Sequence, residues 1–133
     1  MQQGMTIGRL AKAAGVNVET IRYYQRRGLI TEPHKPQGGQ RRYPAAVVSR
    51  IGFIRHAQQL GFSLAEVKDL LQHSDGKNHR DPRRIAERKL AGLDLHIGEL
   101  SRMRKRLKGL IDKSLKADGK GACPIITALA DGK

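Results

Sequence analysis

The residues best suited to chemistry in this chain are hydrogen-bond donors gathered in one short stretch. Arg22, Tyr23, Tyr24 and Arg26 fall within five consecutive positions. Arg22 is the best candidate for contact with a base edge, because its guanidinium fork matches the acceptor pair on the major-groove edge of guanine; a phosphate contact is the alternative. We expect one tyrosine to pack in a core and the other to offer its hydroxyl to a phosphate. The cluster therefore predicts contact with nucleic acid.

A helix-turn-helix would position these donors. Residues 6–26 predict two short helices, with Thr6 and Asn17 as their N-caps and Gly15 in the turn between them. The second helix of such a motif lies in the major groove of DNA. The contacts predicted for these two helices come from Thr6, Asn17, Val18, Thr20, Arg22, Tyr23, Tyr24 and Arg26.

A wing is predicted after the second helix. Residues 29–31 and 40–43 are expected to form two short strands, and the glycines at 38 and 39 suit the turn between them. Arg41 and Arg42 on this hairpin either contact phosphates or protect a solvated strand edge. Further contacts are predicted from Tyr43 in the hairpin and from Arg55 in the next helix.

The charge distribution favours the same interpretation. The chain has 133 residues and a formal net charge of +14, which points to a polyanionic partner such as nucleic acid or an anionic membrane surface. Residues 1–60 hold ten Lys or Arg and only two acids, whereas residues 61–115 mix thirteen bases with eight acids. No apolar run approaches the roughly 18–20 residues that span a bilayer. No signal peptide is evident, and a single cysteine suits a reducing cytoplasm, where we expect the protein to act.

A long helix is predicted from Asp81-Pro82 onward, because Asp can cap a helix and Pro suits its first position. Apolar residues then recur at alternating intervals of four and three, which is the pattern of a coiled-coil seam. Such a seam would be an exposed apolar patch without a partner, so a homodimer is predicted; packing of the helix on its own domain is the alternative. The expected interface residues are Ala86, Leu90, Leu93, Ile97, Leu100, Leu107 and Ile111.

Three motifs in this order resemble the MerR family of bacterial transcription regulators, and most of all its mercury-resistance branch. They lie at residues 6–30, 38–43 (GGQRRY) and 53–64 (FIRHAQQLGFSL), and the resemblance covers nearly the whole chain. The resemblance implies an all-α dominated fold with a winged helix-turn-helix head, a long antiparallel coiled-coil dimerisation helix and a short C-terminal effector loop and helix. It also implies a homodimer that binds an inverted-repeat operator in a promoter spacer and distorts the DNA so that RNA polymerase can engage the promoter.

The expected domain organisation follows these elements. Residues 1–72 would form the DNA-binding domain, 73–80 a connector, 81–115 the dimerisation helix and 116–133 the effector loop with a short terminal helix.

The effector site departs from the pattern of the mercury-responsive branch. The resemblance implies three metal-binding thiolates, and the corresponding positions here are His79, Ser114 and Cys123. A mercury site of three thiolates therefore cannot form. One interpretation is a zinc-like ion held by His79 of one subunit and Cys123 of the other, assisted by Asp112, Asp118, Ser114 or water.

Two other interpretations of this region stay open. Cys123 could be a thiol sensor that binds mercurials or is oxidised, with Lys116, Lys120 and a helix start at Pro124 lowering the pKa of its thiol. Alternatively, the effector site is degenerate, and His79 is a solvated connector residue while Cys123 is a small buried side chain.

Two other functional classes are alternatives to a regulator. No nucleophile motif, pair of carboxylates or glycine-rich phosphate loop stands out, so an enzyme is not expected. An effector-independent or non-specific basic dimer that coats DNA would share the charge and the seam, and binding to random DNA at moderate salt would distinguish it.

Overall fold

The computed structural model describes residues 4–77, 79–117, 119 and 121–132. These residues form six helices, and none of them forms a strand. The chain divides into two compact units, residues 1–86 and 87–133. The helices are α1 (Ile7–Ala14), α2 (Val18–Arg26), α3 (Ala46–Gln59), α4 (Leu64–Ser74), α5 (Pro82–Lys116) and α6 (Pro124–Ala130). The prediction of a fold dominated by α-helices is confirmed.

Side-chain caps fix the starts of three helices in the first unit. Thr6 accepts a hydrogen bond from the backbone N–H of Arg9, and Asn17 accepts one from that of Thr20 at 2.8 Å. Ser63 and Glu66 form a reciprocal capping box at the start of α4. Because each cap satisfies donors that the first turn leaves unpaired, these three residues set where the helices begin.

Gly15 makes the sharp turn between α1 and α2. Its φ of 71° lies in the left-handed region, where a side chain would be strained, and its N–H bonds back to carbonyls of α1. Arg55 on α3 donates to the carbonyl oxygens of Ala14 and Gly15 at 3.3 and 3.4 Å. The turn is therefore tied to α3, which lies against α1.

The core of the first unit joins helices α1 to α4. The side chains of Leu10, Ile21, Ile51, Ile54 and Val67 are fully buried at its centre. Burying a side chain of this size stabilises a fold by about 1.5–3 kcal/mol relative to leaving it exposed. The core thus packs α2 against α1, Tyr24 of α2 bonds to Gln58 of α3, and the outer face of α2 is left to solvent.

The segment between α2 and α3 differs from the predicted wing. Within the described residues, the positions 29–31 and 40–43 form no strands; Tyr43 instead makes a single antiparallel bridge with Met5. Both backbone hydrogen-bonding groups of Tyr43 are used by Met5, so Tyr43 does not pair with residues 29–31. Helix α3 begins at Ala46, and Pro44 lies in the turn before it.

Helix α5 contains 35 residues, and at 1.5 Å per residue it is about 50 Å long. Asp81 accepts a hydrogen bond from the backbone N–H of Arg83 at 3.0 Å, which supports the predicted helix start. In the part of the chain that the structure describes, no helix is both long and apolar enough to cross a membrane.

Candidate functional site

Tyr23 and Tyr24 of helix α2 point to opposite environments, a distinction that the sequence left open. Tyr24 is 5% exposed, and its hydroxyl donates to Gln58 of α3 at 3.0 Å. Tyr23 is 40% exposed, and the guanidinium groups of Arg26 and Arg27 each lie 5.9 Å from the centre of its ring. Tyr24 is therefore the core residue, and Tyr23 stands on the outer face among cationic groups.

Arg22 is held in place by a neighbouring acid on the same helix. Its Nη1 lies 2.8 Å from Oε1 of Glu19, one turn earlier, and both side chains are more than half exposed. A surface pair of this kind contributes only about 0–1 kcal/mol to stability. In this pair the guanidinium of Arg22 faces solvent on the outer side of α2.

Other predicted contact residues of the helix-turn-helix have structural roles. The Oδ1 atom of Asn17 accepts hydrogen bonds from both the backbone N–H and the hydroxyl of Thr20, at 2.8 and 2.9 Å. Val18 is partly buried against the core, and Thr6 caps α1. These four residues build the helix-turn-helix, whereas the guanidinium groups of Arg22 and Arg26 extend from it.

A network of polar contacts fixes the loop after α2. The Nη2 atom of Arg41 lies 3.0 Å from a carboxylate oxygen of Glu32, and its Nε donates to the carbonyl oxygen of Pro33 at 3.0 Å. The hydroxyl of Tyr43 donates to Oε1 of Gln25, and Nε2 of Gln25 donates to Glu32 at 3.3 Å. Arg41 is therefore connected to Gln25 of α2 through one intermediate side chain, that of Glu32.

Tyr43 and Tyr24 were predicted to contact DNA, and the structure corrects both predictions. Tyr43 is only 1% exposed. Burial raises its pKa, as does, to a smaller extent, the carboxylate of Glu32, and burial likewise raises the pKa of Tyr24. Each hydroxyl is used by a glutamine within the head, so neither tyrosine is available to a phosphate.

A cationic groove runs between the start of α1, the outer face of α2 and the loop before α3. It encloses about 730 Å³, and its lining includes the cationic side chains of Arg22, Arg26, Lys35 and Arg41. Arg42 is exposed on the same loop. The groove presents the positive charge that a polyanion would require.

Sequence reasoning missed the residues that hold this surface together. Gln25 and Glu32 support Arg41, and Gln58 fixes Tyr24. The opposite charges of Glu32 and Arg41 on two sides of a predicted turn were the one available signal. Neither glutamine carries a charge or a motif that would have marked it.

Helix α5 carries an apolar stripe at the positions of the predicted seam. Ala86 is exposed, and the six large side chains of the stripe are 41–60% exposed. These six are Leu90, Leu93, Ile97, Leu100, Leu107 and Ile111. An apolar surface of this length and regularity is unusual on a protein without a partner.

In the second unit, two of the three positions considered for an effector come together. The hydroxyl oxygen of Ser114 lies 3.9 Å from the sulfur of Cys123. Cys123 is exposed, contrary to the interpretation that it is a small buried side chain. The backbone N–H groups of Ile125 and Ile126, followed by the hydroxyl of Ser114, lower the pKa of the thiol. The helix start at Pro124 thus acts on Cys123 as predicted, whereas Lys116 is not among the groups that lower the pKa of the thiol. Lys120 and Asp118 lie outside the described residues.

His79 belongs to the first unit, where it is exposed. Among the residues that the structure describes, no three or more His, Cys, Asp or Glu side chains are grouped so that they could hold a metal ion. The donors brought together within one chain are therefore one thiol and one hydroxyl, which do not make a metal site by themselves.

Comparison with known proteins places these features in a family. Residues 5–74 match the MerR HTH family regulatory protein domain, and residues 48–110 match the MerR DNA-binding domain. The mercuric resistance operon regulatory protein of Pseudomonas fluorescens is 45% identical over 130 residues, which cover 98% of this chain and 90% of that protein. The HTH-type transcriptional regulator CueR of Yersinia pestis is 34% identical, covering 95% of this chain and 91% of that protein.

Solved structures agree with this assignment. The transcription regulator PbrR691 of Ralstonia metallidurans CH34, in complex with lead(II), superimposes with a TM-score of 0.82 at 27% identity, covering 94% of this chain and 98% of that one. The dual-function regulator MerR of Bacillus megaterium MB1, in complex with mercury(II), gives a TM-score of 0.70 at 36% identity, covering 95% and 99%. The capped helix-turn-helix, the cationic loop beside it and the long helix that follows are thus those of a member of the MerR family, to which this chain belongs.

Proposed function

We propose that this protein is a cytoplasmic, non-enzymatic transcription regulator whose homodimer recognises an inverted repeat in a promoter. The observation that carries this proposal is the outer face of α2, where Arg22, Tyr23 and Arg26 face solvent beside a cationic groove. Two such faces, related by the axis of a dimer, would read two half-sites in successive major grooves.

The contacts divide into two kinds. Arg22 reads a base edge, because its fork can donate two hydrogen bonds to guanine from the outer face of α2, where it lies beside Glu19. Arg26, Arg41, Arg42 and the hydroxyl of Tyr23 contact phosphates, which fixes the register of the head on DNA. Arg55 contributes through the turn that it holds, since its guanidinium is bonded to Ala14 and Gly15.

The dimer forms through α5. Its stripe of exposed leucine and isoleucine side chains matches the seam of a coiled coil, and a second copy of the same helix offers a surface of the same pattern. Family membership supports an antiparallel arrangement of the two helices.

Regulation acts through the shape of the promoter. As in the family at large, we propose that the dimer sits in a promoter spacer and distorts it so that RNA polymerase engages both promoter elements. The relatives named above include regulators of mercury resistance and structures with bound lead(II) or mercury(II), which supports a metal or thiol-reactive effector here.

The donors of this chain do not fit a mercury site of three thiolates. Ser114 and His79 replace two of the thiolates that the family resemblance implies, and the described residues of one chain supply no group of three ligands. Cys123 is the one thiol, so we place effector chemistry at its sulfur and derive no further ligand set.

The proposal is tested by comparing Arg22→Ala with Arg42→Ala on two DNA probes. The first probe is a duplex that the wild-type dimer has selected from a random library, and the second is a random duplex of the same length. Arg22→Ala should weaken binding to the selected duplex by about 1–3 kcal/mol and affect the random duplex much less. Arg42→Ala should weaken binding to both probes equally. It should also reduce the slope of log K against log salt concentration by about 1 for each lost phosphate contact.

Two outcomes would contradict the proposal. If the wild-type protein selects no sequence and binds all duplexes alike, it is a non-specific DNA-binding dimer. If both variants lose affinity for the two probes in the same ratio, Arg22 is not a base-reading residue.

A further inference from the structure

A continuous chain of hydrogen bonds joins the core of the head to its cationic loop. The buried Tyr43 donates to Oε1 of Gln25, and Nε2 of Gln25 donates to one carboxylate oxygen of Glu32 at 3.3 Å. The other carboxylate oxygen lies 3.0 Å from Nη2 of Arg41, and Nε of Arg41 donates to the carbonyl oxygen of Pro33 at 3.0 Å. The network begins at a rigid residue and ends at an exposed cation.

The side-chain amide of Gln25 has one favourable orientation in this network. With its oxygen toward the hydroxyl of Tyr43, its NH₂ group faces Glu32. The reversed orientation would place two acceptors, the amide oxygen and the carboxylate, against each other. Tyr43 is itself fixed by burial and by its backbone bridge to Met5, so the direction of the amide is set by the core.

Arg41 is held at two points of its planar fork. Nη2 and Nε are both engaged on the side of Glu32 and Pro33, which leaves Nη1 outside the network. A long arginine side chain that is already ordered loses less conformational freedom when it binds a phosphate.

The two acids within residues 1–60 show the same arrangement. Residues 1–60 contain only Glu19 and Glu32 as acids, and each is paired with an arginine that faces the groove: Glu19 with Arg22, and Glu32 with Arg41. An acid on a surface that binds DNA repels phosphates, so its presence here requires a compensating role. Orienting the arginine supplies that role.

We propose that Gln25 is a positioning residue for DNA binding, which acts from helix α2 through Glu32 to orient the guanidinium of Arg41 toward a backbone phosphate. This inference rests on the proposed function, because it takes Arg41 as a phosphate contact. It adds that helix α2 and the loop after it engage DNA as one preorganised surface.

The test measures binding of the full-length dimer to a random-sequence 30-bp duplex over a range of salt concentrations. Gln25→Leu should weaken binding by about 3- to 10-fold, the effect of leaving one long side chain to be ordered on binding. In a protein that already carries Arg41→Ala, the same change should cause no additional loss, because the residue it positions is gone. Tyr43→Phe, which removes only the hydroxyl that orients Gln25, should behave like Gln25→Leu.

Tyr24→Phe is the matched control. It also removes a tyrosine hydroxyl that donates to a glutamine, but this hydroxyl bonds to Gln58 of α3, away from the loop. Its DNA affinity should equal that of the wild-type protein, and melting curves of all variants establish that each is folded.

Several results would overturn the inference. Wild-type affinity in both Gln25→Leu and Tyr43→Phe would show that the network does not affect binding. Losses from Gln25→Leu and Arg41→Ala that simply add would show that Gln25 acts independently of Arg41. If Arg41→Ala binds like the wild-type protein, the proposed phosphate contact itself is absent, and the proposed function of the loop fails with it.

Discussion

Placing a charge in the apolar stripe of α5 tests the assembly on which the proposed function depends. In Ile97→Asp, each protomer would carry a carboxylate at the middle of the predicted seam. We expect this variant to be monomeric or unfolded and to lose binding to an inverted repeat in either case. Its matched control is Leu95→Asp, because Leu95 lies on the same helix but outside the stripe.

The size of the effect follows from the exposure of the stripe. Six large apolar side chains are 41–60% exposed in each protomer. Burying a whole leucine or isoleucine contributes about 1.5–3 kcal/mol, so covering the exposed half contributes about 1 kcal/mol, or roughly 10 kcal/mol for both protomers. Ile97→Asp removes about 2 kcal/mol of this and adds the desolvation of two carboxylates, at several kcal/mol. The dissociation constant should therefore rise by about 1,000-fold or more.

Leu95→Asp should not have this effect. Leu95 is 72% exposed. It precedes Ile97 by two residues, which corresponds to about 200° of rotation around a helix. Its side chain therefore projects away from the stripe, and a carboxylate there stays solvated.

The assay is size-exclusion chromatography with light scattering over a range of protein concentrations, with circular dichroism to measure helix content. The wild-type protein and Leu95→Asp should both have the mass of a dimer. The reasoning is refuted if Ile97→Asp is a folded dimer at the same concentrations, or if both variants dissociate alike.

Two further predictions concern the ion pair between Arg50 and Asp75 and the thiol of Cys123. The carboxylate of Asp75 accepts two hydrogen bonds of 3.1 Å from Arg50, whose Nε also donates to the carbonyl oxygen of Leu29. The hydrogen bonds from Arg50 lower the pKa of Asp75 below its ordinary 3.8. Because the folded-state pKa is depressed, this stabilisation is present above the ordinary pKa and is lost as the pH falls through the folded value. Asp75→Asn should therefore lower the free energy of unfolding, measured by urea denaturation, by about 1 kcal/mol near neutral pH. On acidification the variant should lose less stability than the wild-type protein. Equal dependence of the unfolding free energy on pH in the two proteins would contradict this. Mercury(II) should bind through the single thiolate of Cys123 at each site and be removed readily by an excess of a small thiol. A thiol-resistant complex with the absorption of three sulfur ligands would show that the effector positions are wrongly assigned.

The helices were predictable because their signals are local. The caps at Thr6, Asn17 and Ser63 satisfy backbone donors within three residues, so a short stretch of sequence contains the whole interaction. The alternation of four- and three-residue intervals along α5 is likewise a property of one segment. The MerR family could be identified from the sequence because its motifs occur in the expected order in the chain.

The tertiary structure alone decided what depends on distant residues. The sequence could not say which of Tyr23 and Tyr24 is buried, because the choice depends on Gln58, 34 positions after Tyr24. The predicted strands of the wing did not form, because Tyr43 pairs with Met5 at the other end of the head rather than with its neighbours.

The same reason explains the support of the DNA-facing surface and the position of the thiol. Gln25, Glu32 and Arg41 meet only after α2 is seated on the core and the loop has folded back toward it. Ser114 and Cys123 are nine residues apart, and their proximity depends on how the chain between α5 and α6 returns. Local sequence thus determined where the helices begin and what family they build, whereas contacts between separated segments determined which side chains are free to meet DNA or an effector.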